Sequence, residues 1–482
     1  MTRVLFVASE AYPLIKTGGL ADVAGSLPPQ LEKLGADVRL LMPAYQDALQ
    51  QLADTPQVIA DTTLAGEPVR LLQATLPGTS VKTWLLDHAS FAQREGNPYH
   101  DSHGAPWPDN AARFTLLSRA AAAIAGGETT LDWQPQVVHC NDWHTGPAIA
   151  LVSGQERPPL TVFTIHNLAH MGLFDYPTFE RLRLPQHWWQ DGSVEFYGQC
   201  SFMKAGLSYA DVITTVSPTY AREICESPGG MGLEGLLSER RERLVGIING
   251  IDQSVWNPAA DPCIESAYDA QSLDDKARNK AALQSAMGLE VNANLPLLGF
   301  VGRLAEQKGL ALMLPAVREL LAMPAQLVVL GTGDPVYEQQ LAELSAAHPD
   351  RMAVTLAYNE TLAHRIEAGA DIFLMPSLFE PCGLNQLYSL RYGTPPLVRA
   401  VGGLADTVTD ANAMTLVDGR ATGFVFSEPT AQDFLATVRR ALQLWQDKPA
   451  WRAIQRNAMR QDFSWHRSAA QYMELYRSQS QS

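Results

Sequence analysis

The apolar run Val4-Leu5-Phe6-Val7-Ala8 leads into the segment Lys16-Thr17-Gly18-Gly19-Leu20-Ala21-Asp22-Val23, and together they give the first indication of the fold. The short apolar run predicts a buried strand over residues 4–8, and the pattern after the glycines predicts a helix over residues 22–34. Glycines between the two are typical of a strand-to-helix turn. A strand followed by a loop and a helix is the unit from which parallel sheets are built.

Apolar runs separated by helical patterns recur along the whole chain. In the first half we predict further strands over residues 38–42, 81–86, 137–140, 161–165 and 212–215, and a further helix over residues 110–124. In the second half we predict strands over residues 297–301, 327–330, 352–356, 372–375 and 423–426, with helices over residues 309–321, 336–347 and 362–368. Strands that alternate with helices in this way predict an α/β fold.

A turn-rich segment divides the chain into two predicted domains. Asn249-Gly250 and Asn257-Pro258 are turn dipeptides, and a polar stretch follows over residues 259–275. We predict an N-terminal domain over residues 1–246, a hinge linker over 247–258, a second domain over 259–460, and a C-terminal helix within 461–482 that crosses back to the first domain. Two open parallel sheets facing each other would place a deep interdomain cleft at the carboxyl ends of their strands.

The opening loop has an echo in the second half. Gly18-Gly19-Leu20-Ala21-Asp22-Val23 resembles Gly402-Gly403-Leu404-Ala405-Asp406-Thr407 at five of six positions. Each copy is expected to open a helix. The echo is consistent with a paired architecture, although similar loop chemistry alone could produce one such match.

Composition excludes several classes of function. The net charge of −15 argues against nucleic acid or an anionic membrane as the main partner. No stretch approaches the ~18 consecutive apolar residues of a membrane span, and the first apolar run is too short for a signal-peptide core. The five cysteines match no metal-ligand spacing and no disulfide framework. We therefore expect a cytoplasmic protein with reduced thiols.

Three loops that follow predicted strands carry residues suited to sugar and phosphate chemistry. The loop with Lys16, Gly18 and Gly19 could cradle a phosphate at a helix start, or could be only a tight turn with an exposed lysine. The loop Gly302-Arg303-Leu304-Ala305-Glu306-Gln307-Lys308-Gly309 carries two cations that could neutralise a leaving diphosphate, or could be a solvated basic loop. The segment Ser377-Leu378-Phe379-Glu380-Pro381-Cys382-Gly383-Leu384 could hold a sugar, although a glutamate before proline is usually a turn residue.

Histidines near two strand ends raise the question of a metal. They occur in His139-Cys140-Asn141-Asp142-Trp143-His144 and in Thr164-Ile165-His166-Asn167. No spacing matches a zinc motif, and the chain contains no Asp-x-Asp pair of the kind that holds Mn²⁺ or Mg²⁺ in metal-dependent sugar transferases. We expect no metal and no cofactor. The absence of G-x-S-x-G also argues against a serine hydrolase.

Taken in order, these motifs resemble bacterial glycogen synthases and plant starch synthases over almost the whole chain. The matching segments are residues 16–23, 140–144, 164–167, 249–252, 302–309 and 380–384. The resemblance implies an α/β protein with two Rossmann-like domains facing a deep interdomain cleft, the GT-B type of glycosyltransferase fold. It also implies metal-independent transfer of glucose, with retention of the α configuration, from ADP-glucose to an α-1,4-glucan such as glycogen or a maltooligosaccharide.

The resemblance also implies roles for individual residues. Arg303 and Lys308 would neutralise the diphosphate, Glu380 would hold the transferring glucose, and the backbone carbonyl of His166 would face the reacting carbon. Tyr358 would stack on the adenine, and Tyr99 would lie near the sugar and acceptor. The other implied substrate-binding residues are Lys16, Gly18, Gly19, Asp22, Asp142, Asn167, Asn249, Cys382, Gly383 and Leu384.

Three residues depart from the pattern of the wider superfamily of glycosyltransferases. Several other functions also stay open. Tyr388 stands where many relatives carry a second glutamate that grips the ribose, whereas Val401 and Asn385 replace frequent threonines. The alternatives are another sugar transferase of the sucrose or trehalose type, a phosphorylase, which would need lysine-bound pyridoxal phosphate, and a non-enzymatic glucan-binding protein. Charged residues gathered for a diphosphate argue against the last. Residues alone leave open whether the donor is ADP-glucose or UDP-glucose.

Overall fold

The computed structural model describes residues 1–92 and 94–479, and the chain divides into two compact units. The first unit comprises Met1–Gly250 together with the C-terminal helix that begins at Trp465, and the second comprises Ile251–Ser464. The predicted linker is shared between them, with residues 247–250 in the first unit and residues 251–258 in the second. Each unit is a sheet flanked by helices, so the α/β class with two Rossmann-like domains is confirmed.

The described strands of the first unit form one large sheet and one small one. In chain order they are β1 (Thr2–Val7), β2 (Ala36–Pro43), β3 (Gln57–Leu64), β4 (Glu67–Thr75), β5 (Lys82–Asp87), β6 (Val137–Asn141), β7 (Leu160–Ile165), β8 (Leu173–Asp175), β9 (Glu195–Phe196), β10 (Gln199–Ser201), β11 (Val212–Thr215) and β12 (Leu244–Gly246). The large sheet has the order β12-β11-β7-β6-β1-β2-β5-β4-β3, and β8, β10 and β9 form the small antiparallel sheet.

Strand β1 forms because its core residues are apolar on both faces. Val4, Leu5, Phe6 and Val7 are fully buried, and the strand pairs in parallel with β2 on one side and β6 on the other. A central parallel strand is covered on both faces, so a continuous apolar run suits it better than alternation does. This is why the opening run indicated the fold.

The expectation of a purely parallel sheet is wrong at one edge of the first unit. There β3 and β4 form an antiparallel hairpin, and β4 also pairs antiparallel with β5. The hairpin turns at Ala65 (φ 53°) and Gly66 (φ 93°), and two central residues with positive φ are what a two-residue hairpin turn requires. Both strands mix exposed, half-buried and buried residues, so they lack the continuous apolar run by which the other strands were predicted.

The second unit is a parallel sheet with helices. Its described strands are β13 (Leu297–Val301), β14 (Gln326–Leu330), β15 (Met352–Thr355), β16 (Ile372–Met375), β17 (Pro396–Arg399) and β18 (Phe424–Phe426). Their order is β15-β14-β13-β16-β17-β18, and every pair in this order is parallel. We did not predict β17, a short strand that begins with a proline.

The described helices alternate with these strands. Those of the first unit are α1 (Gly19–Lys33), α2 (Gln46–Gln50), α3 (Asn110–Gly126), α4 (Gly146–Ser153), α5 (Tyr176–Arg181), α6 (His187–Gln190), α7 (Phe202–Tyr209), α8 (Pro218–Glu223) and α9 (Glu234–Glu239). Those of the second unit are α10 (Lys276–Ala286), α11 (Leu310–Ala322), α12 (Pro335–Ala347), α13 (Glu360–Gly369), α14 (Asn385–Arg391), α15 (Gly402–Thr407), α16 (Ala413–Val417), α17 (Ala431–Gln446) and α18 (Lys448–Met459). Helix α19 (Trp465–Gln479) completes the first unit.

Short 3₁₀ turns lie at Ala89–Phe91, Trp143–Thr145, Arg241–Arg243, Leu273–Asp275 and Glu306–Lys308. Helix α1 begins at Gly19, three residues earlier than predicted, and α15 begins at Gly402. Both copies of the Gly-Gly echo therefore open a helix. Among the described residues, no helix combines the length and apolar character needed to cross a bilayer.

Helix α19 packs into the first unit through a buried polar contact. The Tyr476 hydroxyl lies 2.6 Å from Nδ1 of His139, and Nε2 of the same ring lies 2.6 Å from the Thr164 hydroxyl. Tyr476 and His139 are fully buried, and burial lowers the pKa of His139 to about 3. The ring is therefore neutral, and both of its nitrogens have hydroxyl partners.

Replacing Tyr476 with phenylalanine tests this anchor. The variant Tyr476→Phe leaves one nitrogen of His139 buried without its hydroxyl partner, so we expect the free energy of unfolding to fall by about 1–3 kcal/mol. Urea denaturation followed by circular dichroism would measure the change. Arg477→Ala, at an exposed position on the same helix, should change stability by no more than about 0.5 kcal/mol. Equal midpoints for the two variants would contradict the anchoring role.

Candidate functional site

The two loops with predicted chemistry in the second unit interlock through their backbones. Strands β13 and β16 are parallel neighbours, so their carboxyl ends lie at the same edge of the sheet. The loop after β16 is tied to the loop after β13, because the Leu378 N–H donates to the Gln307 carbonyl at 2.8 Å and the Gln307 amide donates to the Phe379 carbonyl at 3.3 Å. The cation loop and the glutamate loop are therefore one structural feature.

Lys308 and Glu380 form an ion pair at this edge. Nζ of Lys308 donates to Oε2 of Glu380 at 2.6 Å, and the Ser377 hydroxyl donates to the same oxygen at 3.0 Å. The Glu380 side chain is only 7% exposed, so its charge depends on these two donors. Among the described residues, Oε1 of Glu380 has no hydrogen-bond partner and stays available to a ligand.

Glycines let neighbouring backbones approach the glutamate loop. The Gly403 N–H donates to the Glu380 carbonyl at 3.1 Å. A Cβ on Gly402 would lie 2.0 Å from that carbonyl oxygen, which no side chain could tolerate. Gly383 adopts φ 73°, and buried Cys382 precedes it, while Leu384 is the residue before α14. The second Gly-Gly copy is thus a packing surface for the glutamate loop.

Arg303 and Tyr358 are exposed at the same edge of the second unit. Arg303 follows β13, and among the described residues its guanidinium has no ion pair. Tyr358 follows β15, and 77% of it is exposed. An unpaired arginine and an exposed aromatic ring are suited to a diphosphate and a base respectively.

The opening loop of the first unit is also ordered by polar contacts. Nζ of Lys16 donates to Oδ1 of Asp22 at 2.7 Å, an ion pair that is partly exposed. Gly18 has extended backbone angles and no side-chain cap, and a Cβ on Gly19 would meet no atom within 4 Å. Space beside Gly19 is what a loop that binds a phosphate needs.

Asp142 and His166 are linked through the backbone. Oδ1 of Asp142 accepts the N–H of His166 at 2.8 Å and that of Asn167 at 3.4 Å. Asp142 is buried with a positive φ of 57°, a strained backbone for a residue other than glycine. Burial raises the pKa of this carboxyl to about 7. Asp142 thus holds the loop that carries His166 and Asn167.

The protonation of His166 follows from its partner. The Asn141 amide nitrogen donates to the Val7 carbonyl, so its oxygen faces Nε2 of His166 at 3.0 Å and must accept. Burial lowers the pKa of His166 to about 3. The ring is therefore neutral, with Nε2 protonated and Nδ1 left as an acceptor.

Tyr99 and Asn249 are buried within the first unit. The Tyr99 hydroxyl lies 2.7 Å from the Ser9 hydroxyl, and its ring stacks on His144 at 4.5 Å between centroids. Burial raises the pKa of Tyr99 well above its usual value. Asn249 is 7% exposed and precedes Gly250, where a Cβ would lie 2.5 Å from the backbone of Trp465. Tyr99 is therefore held by its surroundings, and Asn249 lies where the chain packs closely against the start of α19.

The histidines noted in the sequence do not form a metal cluster in the described residues. The group there that could offer three ligands is Asp261, Cys263 and His364, whose ligand atoms lie within 4.8 Å of one another. Oδ2 of Asp261 already accepts hydrogen bonds from His364 at 2.7 Å and from the Tyr392 hydroxyl at 2.5 Å. Hydrogen bonding explains why these three side chains lie close together. The metal independence expected from the sequence stays a prediction.

Two residues that contact the predicted site residues, Ser377 and Glu10, were not predicted individually from the sequence. Ser377 appeared only as part of a motif, and Glu10 was not noticed. Glu10 is an acidic residue three positions beyond strand β1, which ends in four fully buried apolar residues, and it is 2% exposed. A carboxylate so close to a buried strand end is the signal that could have identified it.

Comparisons with known proteins identify the family of both units. The family model described as the starch synthase catalytic domain matches residues 3–239, and that of glycosyl transferases group 1 matches residues 288–460. Glycogen synthase 1 of Methylococcus capsulatus is 52% identical over 475 residues, covering 98% of this chain and 96% of the relative. A glycogen synthase of Cellvibrio japonicus is 52% identical over 477 residues, covering 99% of both chains.

Two solved structures resemble this chain over nearly its whole length. The catalytic domain of starch synthase IV from Arabidopsis thaliana, bound to ADP and acarbose, matches with a TM-score of 0.88 at 30% identity and covers 100% of both chains. Sucrose-phosphate synthase from Thermosynechococcus elongatus matches with a TM-score of 0.59 at 18% identity and shows a shared fold alone.

Gly309 offers a test of the interlocked loops. Its φ is +75°, and a Cβ there would lie 1.9 Å from the Pro376 carbonyl oxygen, so Gly309→Ala must move one loop away from the other. We expect a loss of stability of about 2–4 kcal/mol, measured by urea denaturation, and a fall in activity. Gly302→Ala is the matched control, because a Cβ at Gly302 meets its nearest atom only at 3.9 Å. Similar behaviour of the two variants would contradict the close approach.

Proposed function

The chain belongs to the glycogen synthase family of glycosyltransferases, and from that premise we propose that it transfers glucose from ADP-glucose to the non-reducing end of an α-1,4-glucan and releases ADP. The observation that carries the proposal is the Lys308–Glu380 ion pair at the carboxyl edge of the second sheet, where Arg303 is exposed and has no ion pair among the described residues. The starch synthase IV structure was solved with ADP and acarbose, a nucleotide and a glucan-like ligand, which supports both substrate classes.

The two cations suit the leaving group. As the bond between glucose and diphosphate breaks, negative charge builds on the departing oxygen, and fixed positive charges stabilise it most in the transition state. Arg303 is free of ion pairs among the described residues, and Lys308 is held in place by Glu380. Such a preformed pair of cations can replace the divalent metal that other sugar transferases use, so the proposal includes metal independence.

Glu380 suits the transferring sugar. Its Oε2 is occupied by Lys308 and Ser377, which keeps the carboxylate in one orientation. Its other oxygen can accept a hydrogen bond from a glucose hydroxyl. A carboxylate fixed in this way also favours the positive charge that develops on the sugar ring.

Retention of configuration would follow from front-face attack. A retaining glycosidase uses two carboxylates close together, one of them as nucleophile. In this chain Glu380 is paired with a lysine, and neutral His166 has its Nε2 proton committed to Asn141. We propose that the acceptor hydroxyl forms its bond to the reacting carbon on the same face of the sugar from which the diphosphate departs, and that the departing phosphate accepts the proton of that hydroxyl.

The environment of Tyr388 favours this family over sucrose-type transfer. Its ring is 8% exposed and stacks on Trp256 with 3.8 Å between centroids. The residue is a packing element of the second unit and offers no carboxylate to a ribose. Tyr388 therefore gives no support to the sucrose or trehalose alternative.

Assaying the donor and the metal requirement together tests the proposal. After dialysis against EDTA, the protein should extend glycogen and maltooligosaccharides with ADP-glucose, more efficiently than with UDP-glucose, and proton NMR should show α-linked products. Glu380→Gln is the matched inactive variant, expected to lose about 10²–10³-fold in rate. A preference for UDP-glucose, β-linked products, or activity that returns only with Mg²⁺ or Mn²⁺ would refute the corresponding part of the proposal.

A substitution of Arg303 distinguishes an effect on catalysis from an effect on stability. Because Arg303 is exposed and has no ion pair among the described residues, Arg303→Ala should change the free energy of unfolding by no more than about 0.5 kcal/mol. It should lower kcat about 10²–10³-fold, with a smaller effect on the KM for ADP-glucose. Arg318→Ala, at an exposed position on α11, is the control and should behave as wild type. A normal kcat with a raised KM would reduce Arg303 to a binding residue.

A further inference from the structure

Glu10 is a buried carboxylate without a cation. It is 2% exposed, and among residues 1–92 and 94–479 no lysine or arginine forms an ion pair with it. The nearest cation along the opening loop, Lys16, is paired with Asp22. A buried charge normally needs a partner, because losing its hydration costs several kcal/mol. Here the partner is the protein backbone.

The carboxylate of Glu10 binds the loop that follows it. The Thr17 N–H donates to Oε2 of Glu10 at 2.6 Å, a short distance typical of a charged acceptor. Hydrogen bonding from the backbone of Gly18 and the side chain of Thr17 also stabilises the charged form. A Cβ on Gly18 would lie 3.8 Å from Oε1. One side chain therefore holds two consecutive residues of the Gly-Gly loop.

This contact decides which groups of the loop can face a ligand. The Thr17 N–H points inward to Glu10, so it is not available to a phosphate. Gly18 is held in the extended conformation that ends the loop, and α1 begins at Gly19, beside open space. Lys16 precedes the clamped residues and keeps a side chain that is 37% exposed.

We propose that Glu10 is a positioning residue for the donor: its carboxylate fixes the backbone of Thr17 and Gly18, and this presents Lys16 and Gly19 to the diphosphate of ADP-glucose. The inference rests on the proposed function, because it assigns the opening loop to the donor. Glu10 itself does not touch the donor, since it is buried behind the loop. It is a structural counterpart of Asp142, whose carboxylate holds the backbone of His166.

The contact should depend on pH. Burial raises the pKa of Glu10 to about 7, and the facing groups give it no cation. Those groups are Asp22 on α1, Tyr45 before α2, Tyr99, and Asp142 after β6, with Arg113 of α3 facing Tyr45. As the pH falls through about 7, the carboxylate gains a proton and loses acceptor capacity for the loop. Donor binding should weaken in the same range.

Calorimetric titration with ADP-glucose, in the absence of glucan, tests the inference. The diphosphate of ADP-glucose has no proton to gain near neutral pH, so changes in affinity report on the protein. For the wild type we expect the affinity to weaken several-fold between about pH 8 and about pH 6. The variant Glu10→Gln keeps the shape but turns an N–H₂ group towards an N–H donor. It should bind ADP-glucose about tenfold more weakly at pH 8, with a flatter pH profile and an unchanged KM for glucan.

Glu367→Gln is the matched control. Glu367 is also buried, its pKa is raised to about 8, and it accepts a hydrogen bond from Ser389 in the second unit, away from the opening loop. This variant should lose stability but keep the affinity for ADP-glucose and its pH profile. If both variants lost donor affinity in proportion to their stability, Glu10 would be a structural residue only and the inference would fail.

Other outcomes separate the inference from the function. A wild-type affinity that does not change between pH 8 and pH 6 would overturn the role of Glu10, even if Glu10→Gln failed to fold. Binding of ADP-glucose without transfer to glucan would overturn the proposed function, while the titrations would still decide on Glu10. A protein that bound neither ADP-glucose nor UDP-glucose would overturn both.

Discussion

Close packing of backbone against backbone at the carboxyl edge of the second sheet is the constraint on which the candidate site depends. Glycines at 309, 331 and 402 each lie where a Cβ would come within about 2 Å of a carbonyl oxygen in a neighbouring loop. The contact of Gly309 with the Pro376 carbonyl brings the loop with Lys308 against the loop with Glu380, whereas Gly331 and Gly402 pack two further loops against Gly302 and Glu380. The ion pair at 2.6 Å is a consequence of that packing, because two separate flexible loops would have to lose conformational entropy to hold such a pair.

In the first unit, buried carboxylates hold the loops in place. Glu10 and Asp142 each accept backbone N–H groups from a loop that carries predicted site residues. Each is removed from water, so the pKa of each carboxyl rises to about 7. An acidic group whose pKa is raised on folding lowers stability as the pH rises from its unfolded value towards 7. Retaining two such groups at the loops indicates that they hold local geometry at the expense of stability.

The histidines show how tertiary structure assigns a role to a residue type. His139 is fully buried and links α19 to the sheet, whereas His166 presents a neutral ring beside Asn141. In the sequence both follow apolar runs and look equivalent.

The sequence alone was sufficient to predict most of the parallel strands, the α/β class of both units and the motifs of the family. Apolar runs buried on both faces leave a strong pattern, and glycines and prolines mark the loops between them. It predicted the loops of Lys16, Arg303 and Glu380, because these follow strands at which α/β proteins bind ligands. It missed the hairpin of β3 and β4, whose exposed face weakens the apolar pattern. The pairing of Lys308 with Glu380 and the contact of Glu10 with Thr17 could be found only in the folded structure. These contacts depend on how the chain folds back on itself, which a local sequence pattern does not predict.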